Sequence, residues 1–196
     1  MCQINIAIFA SGSGTNTENL IKYFSLSKYI KVSIVLSNKN DAYVLKRAES
    51  LNVPICSFTS EELNESTLVD KILVDHKIDA LILAGFLLKI PDRLIERYRD
   101  KILNIHPSLL PSFGGKGMYG LRVHKAVIDA GKSESGITIH LVDEDYDNGR
   151  ILFQDKCEVK KDDTPETLAS RIHALEYKYF PITVEDYLTN RINKRN

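Results

Sequence analysis

The sequence predicts an α/β fold: a doubly wound, mostly parallel sheet with helices on both faces, in a single domain. Three observations carry that expectation. Apolar runs of strand length recur at "INIAIFA", "KVSIVLS", "DALILAGF" and "KILNI". Segments of helical length with mixed polar and apolar faces lie between them. The first, third and fourth runs are apolar at successive positions, which suits strands covered on both faces by crossover helices.

The first strand passes through "SGSG" into a helix over "NTENLIKYFSLS". "KVSIVLS" then supplies a strand, "DAYVLKRAESL" a helix, "VPICSF" a short added strand and "ESTLVDKILVDH" another helix. The segment "PDRLIERYRD" opens on Pro91, where a missing amide hydrogen costs a helix little. After "KILNI" comes a loop rich in proline and glycine, then a helix "LRVHKAVIDAG" that should end at Gly131. "SGITIHLV" and "ILFQDKCEV" read as two strands joined by "DEDYDNGR", whose Asp147, Asn148 and Gly149 suit a hairpin or tight loop. A closing helix begins in "DDTPETLASRIHALEYKYF", with Thr164 as N-cap and Pro165 in the first turn. Pro181 should interrupt or kink it. No repeat or low-complexity linker divides the chain. Residues 1–190 therefore read as one domain and 191–196 as a fraying tail.

The 196 residues, 43% of them hydrophobic, suffice for a substantial core. Lys plus Arg and Asp plus Glu both number 26, so no net field favours nucleic acid or an acidic membrane surface, and neither partner is expected. The three cysteines, Cys2, Cys56 and Cys157, are scattered and form no CxxC; they fit a reducing compartment and suggest no metal ligand set. "ALILAGFLL" is too short to span a bilayer, and the N-terminus shows no secretory pattern. A cytoplasmic protein is expected, with its oligomeric state left open.

Two stretches carry chemistry. In "ASGSGTN", Gly12 and Gly14 let the backbone turn with its N–H groups exposed just where a helix begins, a combination that suits an anion such as phosphate. The stretch lacks the Lys of a phosphate-binding P-loop and the GxGxxG spacing of dinucleotide sites, and a plain helix-initiating turn is its bland equivalent. In "NIHPSLLP", strand alternation sends Asn104 and His106 to one face at the carboxyl end of a parallel strand, where ligands of open α/β sheets bind. Pro107 holds His106 extended and so presents the imidazole. An amide that donates to a carbonyl oxygen gaining charge, beside an imidazole that exchanges protons, meets the needs of acyl transfer. No GxSxG elbow supplies a nucleophile, so direct attack by the acceptor is favoured over a covalent enzyme.

The acidic loop "DEDYDNG" offers Asp147, if the fold returns it to His106, as the carboxylate that orients the imidazole. Asp143, Glu144 and Asp145 read as a solvated turn. The start of a Ca²⁺ loop is imitated only in part, because Gly149 falls one place late and no Glu stands at the twelfth position.

With these residues in view, "GSGTN", "AGF", "NIHPSLLP", "GITIHLV" followed by "DNG", and "HALEYKYFP" resemble, in order and nearly in spacing, the phosphoribosylglycinamide formyltransferases of purine synthesis. The resemblance covers residue 4 to about 188. It implies a Rossmann-like formyltransferase fold and formyl transfer from 10-formyltetrahydrofolate, as cosubstrate and without a metal, to the amine of glycinamide ribonucleotide. By this similarity Gly14, Thr15 and Asn16 would hold the ribonucleotide phosphate, and Glu176 the ribose hydroxyls or the glycinamide end. Leu87, Leu88, Lys89 and Ile90 would line the pterin pocket together with Asn104. Asn104 would bind the formyl oxygen as a tetrahedral oxyanion develops, His106 would donate or shuttle a proton, and Asp147 would hold His106 or a water. His140 would at most support that carboxylate. Two features depart from the family pattern: "SFGGKGMYGLRVH" is longer than in many relatives, and residues 55–70 carry no Lys or Arg for the folate tail. Lys116 is the substitute within reach of the sequence argument. The competing readings are a 10-formyltetrahydrofolate hydrolase and a non-catalytic folate- or nucleotide-binding module.

Overall fold

The computed structural model describes residues 3–193. The elements run β1 (Ile4–Phe9), α1 (Thr15–Phe24), β2 (Ile30–Ser37), α2 (Tyr43–Ser50), β3 (Ile55–Ser57), α3 (Ser60–Asn64), α4 (Leu68–Asp75), β4 (Ala80–Leu83), α5 (Asp92–Arg97), β5 (Ile102–His106), α6 (Leu121–Asp129), β6 (Glu134–Leu141), β7 (Ile151–Glu158) and α7 (Pro165–Asn193). They form one seven-stranded sheet of order β3-β2-β1-β4-β5-β6-β7. Strands β1 to β5 pair in parallel, and β6 and β7 extend the sheet antiparallel. This is the doubly wound, mostly parallel architecture that the apolar runs predict.

Strand β1 shows why both faces must be covered. Ile4, Ile6 and Ile8 enter a core completed by α1, α2, α6 and α7, including Leu20, Val44, Val127 and Ile172. Ala7 and Phe9, pointing the opposite way, join Leu63, Leu73 and Leu94 from α3, α4 and α5. The chain leaves β1 toward β2 on one side and returns to β4 on the other. The resulting topological switch point opens a crevice at the carboxyl ends of β1 and β4.

Three local expectations change. Helix α3, absent from the sequence reading, is secured by a capping box in which the Glu62 N–H donates to Thr59 Oγ1 and the Thr59 N–H donates to the Glu62 carboxylate. Pro91 is the N-cap of α5, just outside the helix. Pro181 does not stop α7, which runs on to Asn193. The proline lacks the N–H that the Tyr177 carbonyl would receive, and Asn19 Nδ2 on α1 donates there instead at 2.9 Å. Thr164 caps α7 as expected, accepting from the Thr167 N–H while Thr167 Oγ1 accepts from the Thr164 N–H. Of the tail, residues 194–196 lie outside the described residues, as do Met1 and Cys2. Among the described residues no helix is long and apolar enough to cross a membrane.

Candidate active site

The carboxyl ends of β1, β4 and β5 open into one cavity of about 670 Å³. Every site residue singled out in the sequence lines it: Gly14, Thr15 and Asn16, then Leu87, Leu88, Lys89 and Ile90, and finally Asn104, His106, Asp147 and Glu176.

At one end lies the glycine turn after β1. Gly14 is the N-cap of α1 with φ 75°, and a Cβ there would meet the Val44 side chain and backbone at 2.4 to 2.7 Å. Only glycine lets α1 and α2 approach this closely. The Glu18 N–H is the first to close back, onto the Gly14 carbonyl at 2.9 Å. The N–H groups of Thr15, Asn16 and Thr17 therefore belong to the open first turn, an arrangement chemically suited to an anion. The Asn16 side chain is committed elsewhere, since its Nδ2 donates to Glu176 Oε2 at 2.8 Å. Its Oδ1 is buried without a partner. Asn16 thus leaves its backbone N–H at the open turn, while its side chain is held inward against the Glu176 carboxylate.

Beyond β4, Gly85 takes φ 75° and turns residues 86–90 along the cavity wall. The Leu87 side chain is exposed and Leu88 half-buried. Ile90 is buried in the core beside Leu94, and so contributes no apolar side chain to a ligand. The Leu87 N–H already donates to Ser11 Oγ at 2.9 Å, so this part of the wall is stitched to the β1 turn. Lys116 also lines the cavity, from the exposed loop before α6.

The third part is built on β5. His106 is 3% exposed; its Nε2 donates to the Phe113 carbonyl at 2.8 Å, and its Nδ1 lies 3.5 Å from Asp147 Oδ2. Asn104 Nδ2 is 3.4 Å from Asp147 Oδ1. Asp147, at φ 54°, therefore stands between the amide and the imidazole, and Gly115 N–H donates to its Oδ2 at 2.8 Å. The loop can carry it there because Gly149 lets the chain pass Leu141, whose carbonyl oxygen would lie 1.9 Å from a Cβ. The sequence argument expects a His106 ring turned toward substrate. Both ring nitrogens instead face the protein, Nε2 the Phe113 carbonyl and Nδ1 the Asp147 carboxylate.

The same chain from residue 4 to residue 184 matches the Formyl transferase family. The chain belongs to that family. It is 41% identical over 197 residues to the chloroplastic phosphoribosylglycinamide formyltransferase of Arabidopsis thaliana, covering 97% of this chain and 67% of that protein. Identity to the phosphoribosylglycinamide formyltransferase of Bacillus subtilis is 34%, with 93% of both chains covered. A solved structure of the Anaplasma phagocytophilum enzyme of the same name superposes with a TM-score of 0.85 at 36% identity, over 93% of this chain and 86% of that one.

In this formyl transferase the site electrostatics are set by burial and by Asp147. Burial pushes the His106 imidazole below its ordinary pKa, against the upward pull of Asp147 and the Phe113 carbonyl. Burial would raise Asp147, but the surrounding donors and imidazoles, among them the Gly115 N–H, hold it below the usual carboxylate range. His124 on α6 is pushed down to about 4, chiefly by burial, and its Nδ1 is buried without a partner.

Sequence reasoning missed His173. Its Nδ1 donates to Glu176 Oε2 at 2.8 Å, the oxygen that Asn16 also reaches, so it stands near the first turn of α1. That hydrogen bond raises its pKa despite partial burial. The spacing of His173 and Glu176, three apart on a helix, is the signal that could have found it. Among the described residues no group of three or more His, Cys, Asp or Glu side chains is disposed to hold a metal ion.

Proposed function

We propose that this chain transfers the formyl group of 10-formyltetrahydrofolate to the primary amine of glycinamide ribonucleotide, the acceptor and the transferred group being those that its relatives' name states. One observation supports the assignment of roles: the open first turn of α1 and the Asn104, Asp147 and His106 constellation line one cavity, so a phosphorylated amine held at one end would reach a reacting group at the other. The backbone N–H groups at Gly14, Thr15 and Asn16 would take the phosphate, with His173 adding positive charge. Glu176, a carboxylate lining the cavity, suits the hydroxyls or amine of the ribonucleotide.

The wall from Leu87 to Ile90 supports a flat, partly apolar ligand such as a pterin, through the Leu87 and Leu88 side chains and the backbone. Lys89 and Lys116, both exposed, offer charge to an acidic tail. The folate supplies the activated formyl group. Asn104 donates to the formyl oxygen as it gains negative charge. The amine nitrogen bonds the formyl carbon, the bond to the folate nitrogen breaks, and the proton given up by the amine returns to that nitrogen. His106, kept uncharged by burial, holds the proton in transit, and Asp147 stabilises the imidazolium while it does so. Scattered cysteines fit a reducing compartment, the cytoplasm or, as two plant relatives' names state of them, a chloroplast.

Folate deformylation followed by absorbance, with glycinamide ribonucleotide, with water alone, and with His106→Ala, tests the reading. Ribonucleotide-dependent turnover that disappears in the variant is expected. Equal turnover without an amine would make the protein a hydrolase, and folate binding without turnover would make it a binding module.

A further inference from the structure

His140 lies directly opposite Asn104 in the antiparallel pairing of β5 with β6 and is 1% exposed. Its Nδ1 is 2.7 Å from the Leu141 carbonyl oxygen. A carbonyl only accepts, so Nδ1 carries the hydrogen, and in the uncharged ring Nε2 is left with a bare lone pair. Nε2 is 3.0 Å from Asn104 Nδ2 and therefore receives one of the two amide hydrogens. The remaining neighbour of that nitrogen, Asp147 Oδ1 at 3.4 Å, is also an acceptor. Two acceptors on one side determine which way the amide faces, because the flipped amide would set its oxygen against both.

We propose that His140 is a positioning residue for formyl transfer: its backbone-fixed tautomer holds one N–H of Asn104 and thereby aims the other at the formyl oxygen. The two contacts differ in kind. The bond to His140 is short and lies inside the sheet, where it persists through the reaction. The one to Asp147 is long and loop-borne, and it is this hydrogen that exchanges onto substrate. His140 Nε2 is 3.6 Å from Asp147 Oδ1 against 3.0 Å from Asn104 Nδ2, so the amide is its nearer partner, and the support of the carboxylate that the sequence reading allows His140 is the longer contact. The inference rests on the oxyanion role of Asn104 proposed above.

Kinetics of Asn104→Ala, His140→Asn, His140→Gln and the Asn104→Ala/His140→Asn double variant test it. Asn keeps a donor near Nδ1 but has nothing at Nε2; Gln can bring an amide oxygen to the Nε2 position. For His140→Asn we expect kcat to fall between about tenfold and a hundredfold, the cost of a misplaced catalytic group, with KM for both substrates unchanged. His140→Gln should recover most of the loss, and the double variant should be no slower than Asn104→Ala.

A loss that multiplies with that of Asn104→Ala, or a folded His140→Gln as slow as His140→Asn, would overturn the proposal while leaving the site reading intact. Wild-type kcat in Asn104→Ala would instead overturn the site reading and this proposal with it. Nitrogen-resolved NMR of the His140 ring in the unaltered enzyme reads the tautomer without any substitution. A protonated Nδ1 and a bare Nε2 are expected, and a hydrogen on Nε2 overturns the inference.

Discussion

Oδ2 of Asp147 faces Nδ1 of His106 across 3.5 Å, on the side of the ring away from the Phe113 carbonyl that holds Nε2. The carboxylate is therefore the charge that supports imidazolium against burial. In Asp147→Asn that support is gone, and the His106 midpoint in an NMR titration should move further below its ordinary value. The proton then has a poorer resting place during transfer, and kcat should fall about a hundredfold or more, while KM for the ribonucleotide stays put. A midpoint that rises, or a collapse of ribonucleotide affinity with kcat preserved, would assign Asp147 to a binding loop.

The glycine turn separates packing from binding at two positions. Gly14→Ala forces a side chain onto φ 75° and into Val44, so chemical denaturation should show a stability loss of more than about 1 kcal/mol. Around Gly12 nothing lies within 4 Å of a Cβ. Gly12→Ala should therefore fold normally, and if the turn cradles phosphate its effect appears as a raised ribonucleotide KM. Equal stability of the two variants would contradict the packing argument.

What was legible in the sequence was local. Continuous apolar runs placed β1, β4 and β5, and the stop after "KILNI" placed Asn104 and His106 at a strand end, because strand period and proline geometry act between near neighbours. What was illegible depends on pairs far apart in the chain. Asn16 meets Glu176 across 160 positions, and Asn19 reaches Tyr177 across 158. The first commits the side chain of a residue expected to hold phosphate, and the second lets α7 continue through Pro181. The orientation of His106 belongs to the same class, since the loop carbonyl and the carboxylate that turn it arrive from segments whose paths no periodicity encodes.

His124 makes the fold sensitive to acid. Its folded-state pKa, about 4, is depressed below the ordinary histidine value of roughly 6.5. The unfolded chain therefore binds more protons in between, and the contribution to stability is complete above about pH 6.5 and lost as pH falls toward 4. The shift corresponds to about 3 kcal/mol for a group this well buried. Urea unfolding of the wild type at pH 7 and near pH 4 should show a drop that His124→Gln diminishes by an amount of that order. An equal drop in the two proteins would mean that the ring is protonated or solvated in the fold.

His173 has the opposite sign. Its hydrogen bond to Glu176 raises the folded-state pKa, so its charge is present at and below the ordinary histidine range and disappears as pH rises through the raised value. Near the first turn of α1 that charge would attract a phosphate, if the turn holds one. The wild-type ribonucleotide KM, taken relative to His173→Gln at each pH, should be lower at pH 6 and converge on the variant at high pH. The comparison at matched pH matters because the phosphate itself loses its second proton near pH 6, which tightens binding as pH rises and would mask the histidine in either protein alone. The half-exposed ring is partly screened by solvent, with its side chain 47% accessible, so the ratio should also shrink as ionic strength rises. A KM ratio that is flat with pH would leave His173 holding Glu176 in place without contributing charge to the ligand.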